Sequence, residues 1–141
     1  MTLKIRRINH FTLKALSGEQ DKARRFYTKV LGLTEVPIPD ALSGHYELLW
    51  FKLEDILLHI EFVKNYVIHP IEYENEAVIT PHHVALEVED IDNVRLGFEQ
   101  HKAPIIEAVT IPDRSRFYVL DPFGNFFEII EFHKDKKSRK T

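Results

Sequence analysis

Two spacings alternate along the chain. Apolar side chains at every second position mark a half-buried strand, and apolar side chains three or four apart mark an amphipathic helix. Residues 5–14 follow the first spacing, with Phe11 and Leu13 on one side and His10, Thr12 and Lys14 on the other. Residues 19–31 follow the second, through Ala23, Phe26, Tyr27, Val30 and Leu31. Ser17, with Gln20 three residues on, is placed to cap that helix, and Gly32 to end it in a left-handed conformation. A short strand at 33–38, a strand at 46–52, a turn at Glu54-Asp55 and a strand at 56–63 come next. In the last of these, Ile56, Leu58, Ile60 and Phe62 oppose Leu57, His59 and Glu61. Residues 64–81 show neither period and contain Pro70 and Pro81, which predicts a connector with one short element.

The pattern then starts again. In residues 82–88, Val84, Leu86 and Val88 oppose His83, Ala85 and Glu87. Asp90-Ile91-Asp92 opens a helix predicted over 91–102, its acidic residues favoured by the partial positive charge of a helix N-terminus. Strands are predicted within 103–111, at 115–120 and at 126–132, the last entered through the turn Asp121-Pro122-Phe123-Gly124-Asn125. Strand, helix, three strands thus occurs twice. This predicts an α+β fold of two βαβββ modules, 5–63 and 82–132, within one domain spanning 1–132.

Composition narrows the function classes. The chain has 141 residues, 44% of them hydrophobic, with 19 basic against 22 acidic side chains. A net charge of −3 carries no footprint for nucleic acid. The apolar runs are too short for a membrane helix, and the N-terminal stretch lacks the apolar core of a secretion signal. The absence of cysteine removes thiolate chemistry and fits a cytoplasmic protein. The basic tail, 133–141, reads as a solvated terminus.

The chemistry lies in four residues. His10, His59 and His83 each fall on the strand face opposite the aliphatic one, and Glu128 lies opposite Phe127 and Ile129. His10 and His83 open the two modules, while His59 and Glu128 lie in their final strands, both pairs separated by roughly 70 residues as a duplication predicts. Imidazoles with a carboxylate suit Zn, Mn, Fe, Co or Ni, and such an ion acts as a Lewis acid. Glu61 shares a face with His59, so alternation alone does not choose between them as ligand. Glu61 and Glu128 are the candidate bases. Arg114, Arg116 and Tyr118 are candidate contacts for a small, anionic or oxygenated substrate.

These residues sit in stretches that resemble the vicinal oxygen chelate superfamily of glyoxalases, fosfomycin- and bleomycin-resistance proteins and extradiol dioxygenases. The stretches are Ile8-Asn9-His10-Phe11-Thr12-Leu13, Arg25-Phe26-Tyr27-Thr28-Lys29-Val30-Leu31-Gly32-Leu33, His83-Val84-Ala85-Leu86-Glu87-Val88, and 117–128 with its Asp-Pro-x-Gly-Asn turn. The resemblance implies a cupped mixed sheet around a divalent metal, a small-molecule substrate that chelates the metal through vicinal oxygens, and a homodimer. His10, His59, His83 and Glu128 match the ligand positions of glyoxalase I, which carries glutamate where this chain has His59. The fosfomycin-resistance ligands are matched at His10, His83 and Glu128. The implied activity is lyase or isomerase chemistry; the alternatives are an extradiol-type dioxygenase and a metal-free sequestering protein of the bleomycin-resistance type.

Overall fold

Strand β1 (His10–Leu16) hides Ala15 completely and leaves His10, Thr12 and Lys14 exposed, so the alternation read from the sequence decides which face is core. The computed structural model describes residues 1–134. The chain divides into two compact units, Met1–Val67 and Ile68–Thr141. All but the first two residues of the basic tail lie outside the described residues.

In the first unit, β1 is followed by helix α1 (Gln20–Arg24), which widens into a π-helical turn over Arg25–Val30. The widening has a local cause. Thr28 donates its hydroxyl to the Arg24 carbonyl, a competitor for the acceptor of the regular backbone ladder, and Leu31 N–H bonds back to the Phe26 carbonyl instead. Gly32 closes the helix at φ 74°, as expected. The expected Ser17 cap is not formed. Glu19 is the N-cap without a side-chain bond, and the Ser17 hydroxyl donates to Glu47. A carboxylate on an adjoining strand is a stronger acceptor than a neutral partner, and it draws Ser17 away from the helix.

Strands β2 (Thr34–Val36), β3 (Glu47–Leu53) and β4 (Ile56–Val63) complete a sheet in the order β1-β4-β3-β2, with β1 parallel to β4 and the other pairs antiparallel. The core face of this sheet presents Ala15, Leu49, Phe51, Leu58, Ile60 and Phe62, all buried, and the helix contributes buried Ala23, Phe26 and Tyr27. Tyr27 stacks on Phe51, ring centroids 5.2 Å apart, which ties helix to sheet. Burial of each such ring contributes about 1.5–3 kcal/mol.

The second unit opens with a two-stranded element where one short element is expected: β5 (Glu72–Glu74) and β6 (Ala77–Ile79), antiparallel, joined through Asn75 and Glu76 at positive φ. Then come β7 (Val84–Glu87), α2 (Ile91–Gln100), β8 (Ile105–Glu107), β9 (Arg114–Leu120) and β10 (Phe126–Phe132). The sheet order is β7-β10-β9-β8, with β7 parallel to β10. This repeats the first unit strand for strand, so the duplicated βαβββ order is present. Phe98 of α2 meets Phe117 edge to face at 6.2 Å, and Arg95 lies over the same ring. Glu131 on β10 accepts from the free N–H groups of Asp90 and Ile91 at 2.8 and 3.0 Å, so a strand carboxylate caps the helix.

The turn into β10 is built around Asp121, which is 3% exposed. Its carboxylate accepts from the backbone N–H groups of Phe123 and Asn125 and from the Asn125 amide, each at 2.8 Å. Gly124 takes φ 82°, and a Cβ there would lie 2.7 Å from Ile68 Cγ2. Both the backbone conformation and the close approach require glycine.

Candidate functional site

Register fixes which side chains meet. In the first unit His59 on β4 lies between Thr12 of β1 and Trp50 of β3. In the second, Glu128 on β10 lies between Ala85 of β7 and Tyr118 of β9. Thr12 is two residues after His10, and Ala85 is two after His83. The two units are thus matched position by position: His10 with His83, His59 with Glu128, Trp50 with Tyr118.

In the first unit the His59 imidazole is sandwiched between two rings. His10 stacks on it with centroids 4.0 Å apart and planes within 15°, and Trp50 at 4.0 Å and 1°. The Nδ1 of His10 is 2.9 Å from Asn9 Oδ1. With the amide oxygen accepting, Nδ1 is the donor in this contact. His59 Nε2 is buried and makes no hydrogen bond among the described residues, and the same holds for Trp50 Nε1. Desolvation, and after it the neighbouring His10, lower the His59 pKa to about 4. The ring is therefore neutral near pH 7, the form that binds metals. Glu61 shares the face but is ion-paired with Lys14, its register partner on β1.

In the second unit His83, Glu128, Arg116 and Tyr118 form one cluster. His83 Nδ1 lies 2.9 Å from the Pro81 carbonyl, which only accepts, so Nδ1 is the protonated nitrogen. His83 Nε2 then faces Glu128 Oε1 at 3.4 Å. The other oxygen, Oε2, accepts from Arg116 at 3.0 Å, and the same guanidinium nitrogen donates to the Tyr118 hydroxyl at 3.0 Å. Beside this polar group, Tyr118 also belongs to an apolar patch with Ile106, Leu120 and Phe126, on which Val78 of β6 packs. Arg114 stands apart from the cluster's hydrogen bonds. It forms a two-pronged pair with Asp113 at 2.7 and 3.2 Å and lies over the Phe132 ring at 4.5 Å. The Arg114 guanidinium holds the Asp113 carboxyl below its usual range.

The structure therefore brings His10 next to His59, and His83 next to Glu128, Arg116 and Tyr118. Glu61 goes to Lys14 and Arg114 to Asp113. Among the described residues no group of three or more His, Cys, Asp or Glu side chains gathers to hold a metal ion; the arrangements present are the pairs His10 with His59 and His83 with Glu128. The donors suit a divalent transition ion. Both His10 and His83 give their Nδ1 proton to an oxygen, the arrangement that orients the other nitrogen toward a metal, and His59 offers an orphaned nitrogen. Trp50, Pro81 and Val109, whose carbonyl accepts from Arg116, enter the site without having been singled out in the sequence. Trp50 had a legible signal, since alternation across β3 and β4 puts it on the His59 face. The backbone carbonyls of Pro81 and Val109 had none.

A family model for the Glyoxalase/Bleomycin resistance protein/Dioxygenase superfamily matches residues 7–129. Among solved structures, a Bacillus anthracis protein described as of the glyoxalase family is 31% identical, with a TM-score of 0.78 over 94% of this chain and 100% of that one. A glyoxalase/dioxygenase from Nostoc punctiforme is similar at 20% identity and TM-score 0.70, covering 92% of each chain. The fosfomycin resistance protein FosX from Listeria monocytogenes is similar at 13% identity and TM-score 0.72, covering 94% of this chain and 95% of that one. At the last two identities the likeness concerns the fold. A comparison with curated proteins found no match.

Proposed function

The chain belongs to the glyoxalase/bleomycin resistance protein/dioxygenase superfamily, and from that membership we propose that it is a divalent-metal-dependent enzyme of glyoxalase-like, lyase or isomerase type. The proposed substrate is a small molecule that chelates the metal through two neighbouring oxygens. The observation that carries the proposal is the His83–Glu128 pair. Nδ1 of His83 donates to the Pro81 carbonyl, and Nε2 faces a carboxylate oxygen at 3.4 Å. An imidazole nitrogen and a carboxylate oxygen held side by side are both donor atoms that a divalent transition ion accepts.

His83 with Glu128 and His10 with His59 are the proposed ligands, for Zn, Ni, Mn, Co or Fe. When bound, such an ion supplies Lewis acidity toward a carbonyl or a developing oxyanion. The protein residues have separate tasks. The Pro81 carbonyl holds the His83 ring in its ligating tautomer, and burial keeps His59 neutral. The Trp50 N–H, without a hydrogen-bond partner among the described residues, is the proposed donor to an oxygen of the bound molecule. Of the two candidate bases, Glu61 is paired with Lys14 and Glu128 with Arg116, so neither carboxylate is free in this arrangement. A homodimer and a cytoplasmic location complete the reading. No helix among the described residues is long and apolar enough to cross a membrane.

The test is turnover of a panel of α-hydroxy carbonyl compounds, hemithioacetals, epoxides and catechols by tag-free protein, before and after chelation and with each ion restored. Metal-dependent conversion without oxygen consumption supports the proposal. Oxygen uptake with catechols on iron replaces it with a dioxygenase. Tight binding of a panel member without conversion, indifferent to chelation, replaces it with a sequestering protein.

A further inference from the structure

We infer that Arg116 is a positioning residue whose task is to hold Glu128 so that one carboxylate oxygen alone is offered to the metal, rather than a residue that binds an anionic substrate. The inference rests on the metal-binding reading above. Arg116 is on β9 and Glu128 on β10, where the register pairs Glu128 with Tyr118 and Ile130 with Arg116. Arg116 therefore reaches Glu128 along the diagonal of the ladder, a distance a long side chain spans.

The guanidinium is nearly spent. Its Nε and one terminal nitrogen both donate to the Val109 carbonyl, at 3.2 and 2.7 Å. The other terminal nitrogen donates to the Tyr118 hydroxyl and to Glu128 Oε2, each at 3.0 Å. Four of its five N–H groups are thus accounted for. A fork anchored to a backbone carbonyl cannot swing out to meet a ligand without giving up these bonds. The Arg116 and Glu128 side chains are only 13% and 14% exposed. Freeing either partner would therefore leave a poorly solvated charge, unlike the breaking of a pair on the surface.

The consequence for Glu128 is geometric. Oε2 is occupied by Arg116, and Oε1 is left toward His83 Nε2. A carboxylate held this way binds an ion through one oxygen, leaving more of the coordination sphere to a chelating substrate. Arg116 also provides the hydrogen-bonding support that ligating carboxylates require, the counterpart of the Pro81 carbonyl on His83.

The test is titration of full-length, tag-free protein with Co2+, read by calorimetry and by the visible absorption of the bound ion. It covers wild type, Arg116→Met, Arg116→Lys, Glu128→Gln and the double variant Arg116→Met with Glu128→Gln, with thermal melts to verify folding. Arg116→Met is expected to weaken Co2+ binding about 10–100-fold, the usual cost of losing such support, and to alter the absorption band as Glu128 changes its mode of binding. In the Glu128→Gln background the same change should alter affinity by no more than about two-fold, since a residue acting through Glu128 has nothing left to position. Arg116→Lys keeps the charge without the fork and should fall between. An equal loss in both backgrounds, or no loss in folded Arg116→Met and Arg116→Lys proteins, overturns the inference and leaves the proposed function standing. Failure of wild type to bind Co2+, Zn2+, Ni2+, Mn2+ or Fe2+ removes both.

Discussion

The indole of Trp50 lies face to face with the imidazole of His59, centroids 4.0 Å apart and planes within 1°. The stack places the chain's one tryptophan against a proposed ligand. Tryptophan emission should therefore report on His59. In metal-free protein the emission should change as pH falls through about 4, where the His59 ring takes its proton, and His59→Phe should abolish that transition. A transition near the ordinary histidine value of 6.5 would contradict the burial argument.

The same group makes the fold acid-sensitive. Its folded pKa is depressed from 6.5 to about 4, so the unfolded chain takes up a proton first. The contribution of a neutral His59 to stability is complete above about pH 6.5 and is lost as pH falls toward about 4. Urea unfolding of metal-free wild type and His59→Phe across this window should show a smaller loss for the variant.

Glu131 adds a second acid-sensitive contact. The N–H groups of Ile91 and Asp90 hold its carboxyl below the usual range. A depressed carboxylate contributes above its ordinary value and is lost as pH falls through the folded value. Glu131→Gln should lower the melting temperature at pH 7 and narrow the difference from wild type at about pH 3. Hydrogen exchange should place the loss at the first turn of α2.

Gly124 and Gly97 should respond in opposite directions. At Gly124 a methyl group meets Ile68 Cγ2 at 2.7 Å on a backbone at φ 82°. Gly124→Ala should cost about 1–2 kcal/mol for the left-handed backbone and a similar amount for overpacking. Gly97 lies inside α2, and a methyl group added there would have nothing within 4 Å. Gly97→Ala should stabilise by roughly 0.5–1 kcal/mol through helix propensity. Denaturant midpoints of the two variants check both signs.

Much of this was legible in the sequence because strand alternation is a strict rule. Val84 and Leu86 of β7, with Val88 just after it, mark the core face, and their spacing alone puts His83, just before the strand, on the other face. The Asp-Pro-x-Gly-Asn turn was legible for the same kind of reason, since Asp121 and Gly124 fill positions that few other residues can. The partners of the site residues were less accessible. The pairing of Glu61 with Lys14 depends on the parallel register of β1 with β4, which no local pattern specifies. Arg114 and Arg116 look alike in the sequence, yet one pairs with its neighbour Asp113 and the other with Glu128. The Ser17 cap failed because Glu47, distant in sequence, competes for its hydroxyl.

The most direct measurement is anomalous diffraction from crystals of tag-free protein soaked with Zn2+ and with Mn2+, recorded at each ion's absorption edge. The account predicts an ordered ion about 2.0–2.2 Å from both His83 Nε2 and Glu128 Oε1, with Arg116 still on Glu128 Oε2. Anomalous maps with no peak at His83 and Glu128, from crystals whose ions are ordered elsewhere, would contradict it.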